Sequence, residues 1–227
     1  MRGALSDAYD FVRLGPIYKK YRPFTMISGR RFFTENLILV SKTLAHLKDG
    51  VIVECGTWKG GMAAAMVEVG GPERDYHFFD SFEGLPPAGE LDGKRAKAYQ
   101  AATDDPGYYD NCTADMSYIN AALALTGCPS SHLHVHPGFF EKSFPGFEPP
   151  PIAVLRLDAD WYDSTMICLE KFWHHVLPGG LILIDDYHTW DGCSRAVHDF
   201  LSAKKSQDRI LQGRIAGTAY IRRRIED

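Results

Sequence analysis

The sequence predicts an α/β protein built on one doubly wound, mostly parallel seven-stranded sheet with an antiparallel hairpin at its edge. Three observations lead there. Short apolar runs such as Val51–Cys55 and Ile152–Leu157 are bounded by turn residues and alternate with helical stretches, which is the pattern of buried parallel strands. A glycine-rich turn, with Gly56, Gly60 and Gly61, follows the first of these runs. The last two strand-like runs, near 209–212 and 218–222, have no helix between them, as an edge hairpin requires.

Taken in order, residues 1–33 are aromatic and basic, contain Pro16 and Pro23 and show no sustained period. They are expected to form an arm or lid ahead of a domain spanning 34–227. That aromatic arm leaves a homodimer contact open. Thr34 is placed to cap a helix running to about residue 48, where Asp49-Gly50 signals a turn. Strand 51–55, the glycine turn and a helix over 62–69 follow, then strand 76–80. The stretch 86–111 is rich in Pro, Gly, Ala, Asp and Lys and reads as a long lid or disordered loop. A helix over 114–125 leads to strand 132–136, and the strand at 152–157 is followed by a helix over 165–176. Strand 181–184 and a helix over 193–203 precede the hairpin.

The charge balance, 25 Lys and Arg against 29 Asp and Glu, argues against nucleic acid or an anionic membrane as the main partner. Arg222-Arg223-Arg224 is the densest basic run, but Glu226 and Asp227 follow at once, so it reads as a solvated strand end. Five cysteines occur with no CxxC spacing, which fits reduced thiols. Charges interrupt the N-terminus and no apolar run approaches the roughly 18 residues of a membrane span. A soluble, cytoplasmic chain is expected.

Ligands of such sheets bind at the carboxyl ends of the strands, near the switch in strand order. Three constellations fall there. Glu54-x-Gly56-x-x-x-Gly60-Gly61 combines glycines that permit close backbone approach with an acid preceding them, which suits a cationic or amine-bearing ligand better than a pyrophosphate. The competing reading is a strand–helix turn that needs glycine for packing. Asp80, in Asp80-Ser81-Phe82-Glu83-Gly84-Leu85-Pro86, could accept both hydroxyls of a ribose, with Phe82 against the base, or simply open a turn. Asp158-Ala159-Asp160 and Asp185-Asp186 end two strands. Carboxylates so crowded raise one another's pKa unless a cation joins them. Asp158, Asp185 and Asp186 offer oxygen ligands to a hard cation such as Mg²⁺, leaving Asp160 as a general base. Helix capping by Asp160 or Asp163, and by Asp191, is the alternative. His132, His134 and His136 alternate as a half-exposed strand face, whereas His188, directly after Asp186-Tyr187, is placed to touch chemistry.

Together these segments resemble the macrocin O-methyltransferase (TylF-like) family. The resemblance runs from about residue 25 to 200. It rests on Thr25-Met26-Ile27, on Glu54-Cys55-Gly56-Thr57-Trp58-Lys59-Gly60-Gly61, on the Asp80-Ser81-Phe82 turn, and on Arg156 to Thr165 continued by Asp185-Asp186-Tyr187 and Trp190-x-Gly192-Cys193. The resemblance implies a Rossmann-like class I methyltransferase fold and Mg²⁺-assisted methyl transfer from S-adenosylmethionine to a hydroxyl. The acceptor expected is a sugar-bearing or phenolic small molecule, a specialised metabolite. Cofactor contacts carry over to Glu54, Gly56, Thr57, Gly60, Gly61, Asp80, Ser81 and Phe82. Metal ligation carries over to Asp158, Asp185 and Asp186, and the base to Asp160 or, as in some relatives with a histidine near this turn, His188. Ala159 departs from the family's usual Asp-Gly-Asp. An NAD(P)-dependent oxidoreductase and a non-catalytic nucleotide-binding module are the rival readings.

Overall fold

The computed structural model describes residues 2–224. The chain order is α1 (Arg2–Tyr21), α2 (Arg30–His46), β1 (Val51–Cys55), α3 (Gly61–Gly70), β2 (Tyr76–Asp80), α4 (Gly93–Ala101), α5 (Met116–Ala124), β3 (Leu133–Pro137), α6 (Phe140–Ser143), β4 (Ile152–Leu157), α7 (Tyr162–Phe172), β5 (Val176–Ile184), α8 (Asp191–Ala203), β6 (Ile210–Gln212) and β7 (Ala219–Arg222). The strands form one sheet in the order β3-β2-β1-β4-β5-β7-β6. β1 through β5 pair in parallel and β7 runs antiparallel to both β5 and β6. The mixed sheet and its edge hairpin are as the sequence predicts.

All residues of β1 and β4 are buried, because helices cover both faces. On one face Phe33, Leu37 and Val40 of α2 pack with Met62 to Val67 of α3 and Ile119 of α5. On the other, Cys168, Leu169 and Phe172 of α7 meet Val197 and Phe200 of α8. Strand order reverses between β1 and β4, so their carboxyl ends open a crevice. Among the described residues, no helix is long and apolar enough to cross a membrane.

Several expectations differ from the structure for identifiable reasons. Residues 2–21 form a helix, α1, despite Pro16, and bury Leu14 and Tyr21 against the body; the Tyr21 hydroxyl donates to Glu68 at 2.6 Å. Of the aromatic residues that obscure its period, Tyr21 is buried, Phe11 and Tyr18 pack partly against the core, and Tyr9 is exposed. Helix α2 begins at Arg30 with Gly29 at the cap position, so Thr34 lies inside the helix, fully buried, and caps nothing. The boundary placed at residue 33 therefore falls within α2.

The stretch 86–111 is ordered. It contains α4 and is laced by side-chain amides: Asn111 donates to the Leu85 carbonyl at 2.8 Å, and Gln100 donates to the Pro86 carbonyl at 2.9 Å. β5 begins at Val176 rather than 181, because Gly179 at φ 80° and Gly180 let the strand pass an irregular pairing with β4.

The β2–β3 edge holds a histidine face. His77 pairs in register with His134, its ring stacks on His134 at 4.7 Å, and its Nδ1 lies 3.0 Å from His136 Nε2. Asp75 meets His132 at 2.8 Å, and Phe147 packs on His77. Burial, followed by repulsion from His134 and His136, pushes the His77 pKa down to about 4 from 6.5, with Asp75 opposing. The unfolded chain therefore binds this proton at higher pH than the folded one. The contribution to stability is complete above about pH 6.5 and is lost as the pH falls towards 4. Chemical denaturation followed between pH 7 and 4 is expected to show this loss. His77→Phe is expected to flatten the profile in that window, and an unchanged slope would refute the assignment.

Candidate active site

The centre of the crevice is an arginine inside a strand. Arg156 of β4 sits in register with Glu54 of β1, and both are fully buried. Its Nη1 donates to Glu54 Oε1 at 2.7 Å and to Asp158 Oδ2 at 2.8 Å, while Nη2 donates to Asp185. Burial pushes the Glu54 carboxyl up to about 8, with Arg156 opposing and Asp158 reinforcing the shift. Glu54 Oε2 is buried without a partner. In the sequence Arg156 stands only as part of a motif. The available signal was a charged residue inside an otherwise apolar run, since a buried arginine must be paired.

Asp80 organises the glycine turn. Its Oδ2 accepts from Thr57 N at 2.7 Å and Trp58 N at 2.8 Å, and its Oδ1 accepts from Phe82 N at 2.7 Å. Trp58 and Phe82 have φ of 49° and 56°, an uncommon state for non-glycine residues that clusters at functional sites. Gly56, at φ 84°, is required by packing: a Cβ there would lie 1.7 Å from the Asp158 carbonyl. The same holds for Gly60 against Ile119 and Gly61 against Phe24. Ser81 donates to the Gly84 carbonyl at 2.8 Å, and Phe82 packs partly against the core. The packing reading of the glycines and the turn reading of Asp80 thus both have structural support.

The carboxylates of Asp158, Asp160 and Asp186 converge, with one oxygen of each within 4.8 Å of the others. Asp160 adopts φ 56°; its Oδ1 accepts from Trp190 Nε1 at 2.8 Å, and its N–H donates to Asp186 Oδ2 at 3.2 Å. Burial raises Asp160 and Asp186 well above the usual carboxylate range. For Asp160 the charge of Asp158 adds to this; for Asp186 the charge of Asp160 does. Asp185 rises to about 7 through burial, opposed by its Arg156 partner and raised further by Asp158. Asp185 is thus nearest the guanidinium, and Asp160 joins the convergent set.

Neither Asp160 nor Asp163 caps α7. Its N-cap position is Trp161, without a side-chain bond, and Asp92 from the 86–111 stretch accepts from Tyr162 N at 2.6 Å. Trp190, not Asp191, holds the α8 cap position. His188 is exposed with Nε2 3.2 Å from Gln212 Nε2, and it lines neither site cavity. The structure does not bring it to the carboxylates.

Two adjoining cavities meet at these groups. One, of about 630 Å³, is lined by Gly56, Asp80, Ser81, Phe139, Asp158 and Asp160. The other, of about 900 Å³, is lined by Phe24, Ile27, Tyr99, Asp185, Asp186 and Trp190 among others. Met26, Trp58, Cys112, Asp158 and Asp160 border both.

An open sheet with Glu54 in β1, Asp80 ending β2, and two cavities meeting at carboxylates after β4 and β5 has the class I methyltransferase architecture. The family described as Macrocin-O-methyltransferase (TylF) matches residues 20–223, and the chain belongs to it. A tetracenomycin-type enzyme of Streptomyces olivaceus, 8-demethyl-8-(2,3-dimethoxy-alpha-L-rhamnosyl)-tetracenomycin-C 4'-O-methyltransferase, is 33% identical over 193 residues, covering 83% of this chain and 71% of that one. Mycinamicin III 3''-O-methyltransferase of Micromonospora griseorubida is 27% identical over 178 residues, 73% of this chain and 67% of that one. The O-methyltransferase NovP has the same fold, with a TM-score of 0.72 at 24% identity over 89% of this chain and 83% of that one. The protein is an S-adenosylmethionine-dependent O-methyltransferase, which sets aside the oxidoreductase and silent-module readings.

Proposed function

We propose that this enzyme methylates a sugar hydroxyl of a glycosylated natural product with the help of a divalent cation, Mg²⁺. The observation that carries the cation is a charge imbalance: Glu54, Asp158, Asp160, Asp185 and Asp186 line one cavity in which, among the described residues, Arg156 is the only guanidinium. Arg156 reaches Glu54, Asp158 and Asp185 but makes no bond to Asp160 or Asp186. A hard-oxygen donor set of this kind fits Mg²⁺. Asp158 and Asp186 would hold the ion, with the oxygen of Asp185 not taken by Arg156 as a third ligand. A bound cation would lower the pKa of a coordinated acceptor hydroxyl. The sugar preference is supported by the activities for which relatives are named, one of which acts on a rhamnosyl tetracenomycin.

The smaller cavity, between the Gly56 turn, Asp80 and Phe139, is the place for S-adenosylmethionine, which supplies an electrophilic sulfonium methyl. Glu54, which lines the adjoining larger cavity, fits a cationic group, since its Oε2 is buried and unpartnered. The chain's own contribution is alignment and proton removal. Asp160 stands at the junction of the cavities with one oxygen anchored by Trp190; its other oxygen takes the proton of the acceptor hydroxyl. Burial and the nearby charge of Asp158 raise its pKa, which makes its carboxylate a stronger base. Tyr99, Trp58 and Trp190 wall the larger cavity, exclude water and present flat apolar faces to a sugar ring. The free thiols of Cys55, Cys112, Cys128, Cys168 and Cys193 support a reducing compartment, the cytoplasm.

Calorimetry is expected to show S-adenosylhomocysteine binding and no binding of NAD. In methyl-transfer assays, 6-deoxyhexosides are expected to turn over and simple catechols are not. Turnover of catechols alone would overturn the sugar reading, and loss of S-adenosylhomocysteine binding would overturn the donor site.

A further inference from the structure

The segment 86–93 reaches across the site to the first turn of α7. The Trp161 Nε1 donates to the Pro86 carbonyl at 2.8 Å, and the Asp92 carboxylate accepts from Gly89 N at 2.7 Å and from Tyr162 N at 2.6 Å. Asp92 is 3% exposed, and although it occupies the N-cap position of α4 its side chain makes no bond there. It serves α7 instead, seventy positions further along the chain. The approach depends on Gly192: a Cβ at that position would lie 2.0 Å from Asp92 Oδ1 and 2.9 Å from Tyr162 N.

The first N–H groups of a helix have no partner within it, and a nearby Asp is the usual acceptor. Asp160 lies just before the α7 cap residue and is a natural competitor for that work. Because Asp92 supplies the acceptor from outside, Asp160 instead holds φ 56°, accepts from Trp190 with one oxygen and lines both cavities. We infer that Asp92, admitted by Gly192, is a positioning residue: by capping α7 from a distant segment it keeps Asp160 free of the helix and aimed at the acceptor. This rests on the proposed role of Asp160 as base. It also ties the 86–93 segment, whose Pro86 borders the smaller cavity, to the base, so that order in 86–93 and alignment of Asp160 come together.

The test is a double-mutant cycle on kcat with Asp92→Ala, Asp160→Asn and the double variant, alongside the dissociation constant of S-adenosylhomocysteine. Asp92→Ala is expected to lower kcat about 10- to 100-fold, the range set by small misplacements of a reacting group, with donor affinity kept within about twofold. In the Asp160→Asn background the same change is expected to add almost nothing, because the group it positions is already gone. Asp92→Asn keeps an oxygen for Tyr162 N–H and is expected to recover most of the loss. Gly192→Ala, run through the same cycle, displaces the Asp92 carboxylate without removing it and is expected to reproduce the Asp92→Ala pattern, so the result does not hang on the folding of one variant. Wild-type kcat in Asp92→Ala, or losses that multiply in the double variant, would overturn the positioning role. Wild-type kcat in Asp160→Asn would instead overturn the base on which it rests.

Discussion

Asp160→Asn is expected to lower kcat by about 10²- to 10⁴-fold, the usual contribution of a general base. The change is isosteric and keeps an oxygen to accept from Trp190 Nε1, so the αL turn at residue 160 is retained. What disappears is the oxygen that takes the proton. The smaller cavity, where the donor sits, keeps its Gly56, Asp80 and Phe139 walls, so S-adenosylhomocysteine affinity is expected to stay within about twofold. Single-turnover methyl transfer checks this directly, because it separates chemistry from product release. His188→Ala is expected to leave turnover unchanged, since His188 is exposed and lines neither cavity.

Arg156→Met is expected to cost the fold about 3–5 kcal/mol, the range for removing one partner of a buried ion pair. Arg156 is the shared partner of Glu54, Asp158 and Asp185, and Glu54 is fully buried with it. Without the guanidinium, these carboxylates must either stay charged without compensation or take up protons. For a chain of this length that cost corresponds to a melting temperature lower by about 6–20 °C. Adding Glu54→Gln is expected to return part of the loss, because one unpaired charge goes with it. A double variant as unstable as the sum of its parts would show that Glu54 and Arg156 do not act as a pair.

Much of the fold was legible because buried parallel strands write themselves as uninterrupted apolar runs, as in 51–55 and 152–157. The parts that were not legible are those whose structure is set by distant contacts. Helix α1 keeps Pro16, and the helix is anchored on the body by Leu14 and Tyr21, which local periodicity does not report. The 86–111 stretch has loop composition, yet Asn111 and Gln100 bond its backbone into one shape.

The site shows the same division. That acids would gather at the carboxyl ends of β4 and β5 followed from the strand pattern alone, and Asp158, Asp160 and Asp186 do converge. Which carboxylate the arginine takes could not follow, because it depends on the rotamer of a side chain on a neighbouring strand. The capping readings of Asp160 and Asp163 failed for a related reason: the acceptor for α7 comes from Asp92, which no local pattern connects to Tyr162. The glycines of the first turn were legible as a motif. Their packing against Asp158, Ile119 and Phe24 needed the fold.

The division of labour among the carboxylates is most directly tested by calorimetric titration of Mg²⁺ into the S-adenosylhomocysteine-loaded wild type, Asp158→Asn and Asp160→Asn. The account predicts at least about tenfold weaker Mg²⁺ binding for Asp158→Asn, as expected when a ligand is lost, and binding within about twofold of wild type for Asp160→Asn. Equal weakening in both variants, or no Mg²⁺ binding by the wild type, would contradict it.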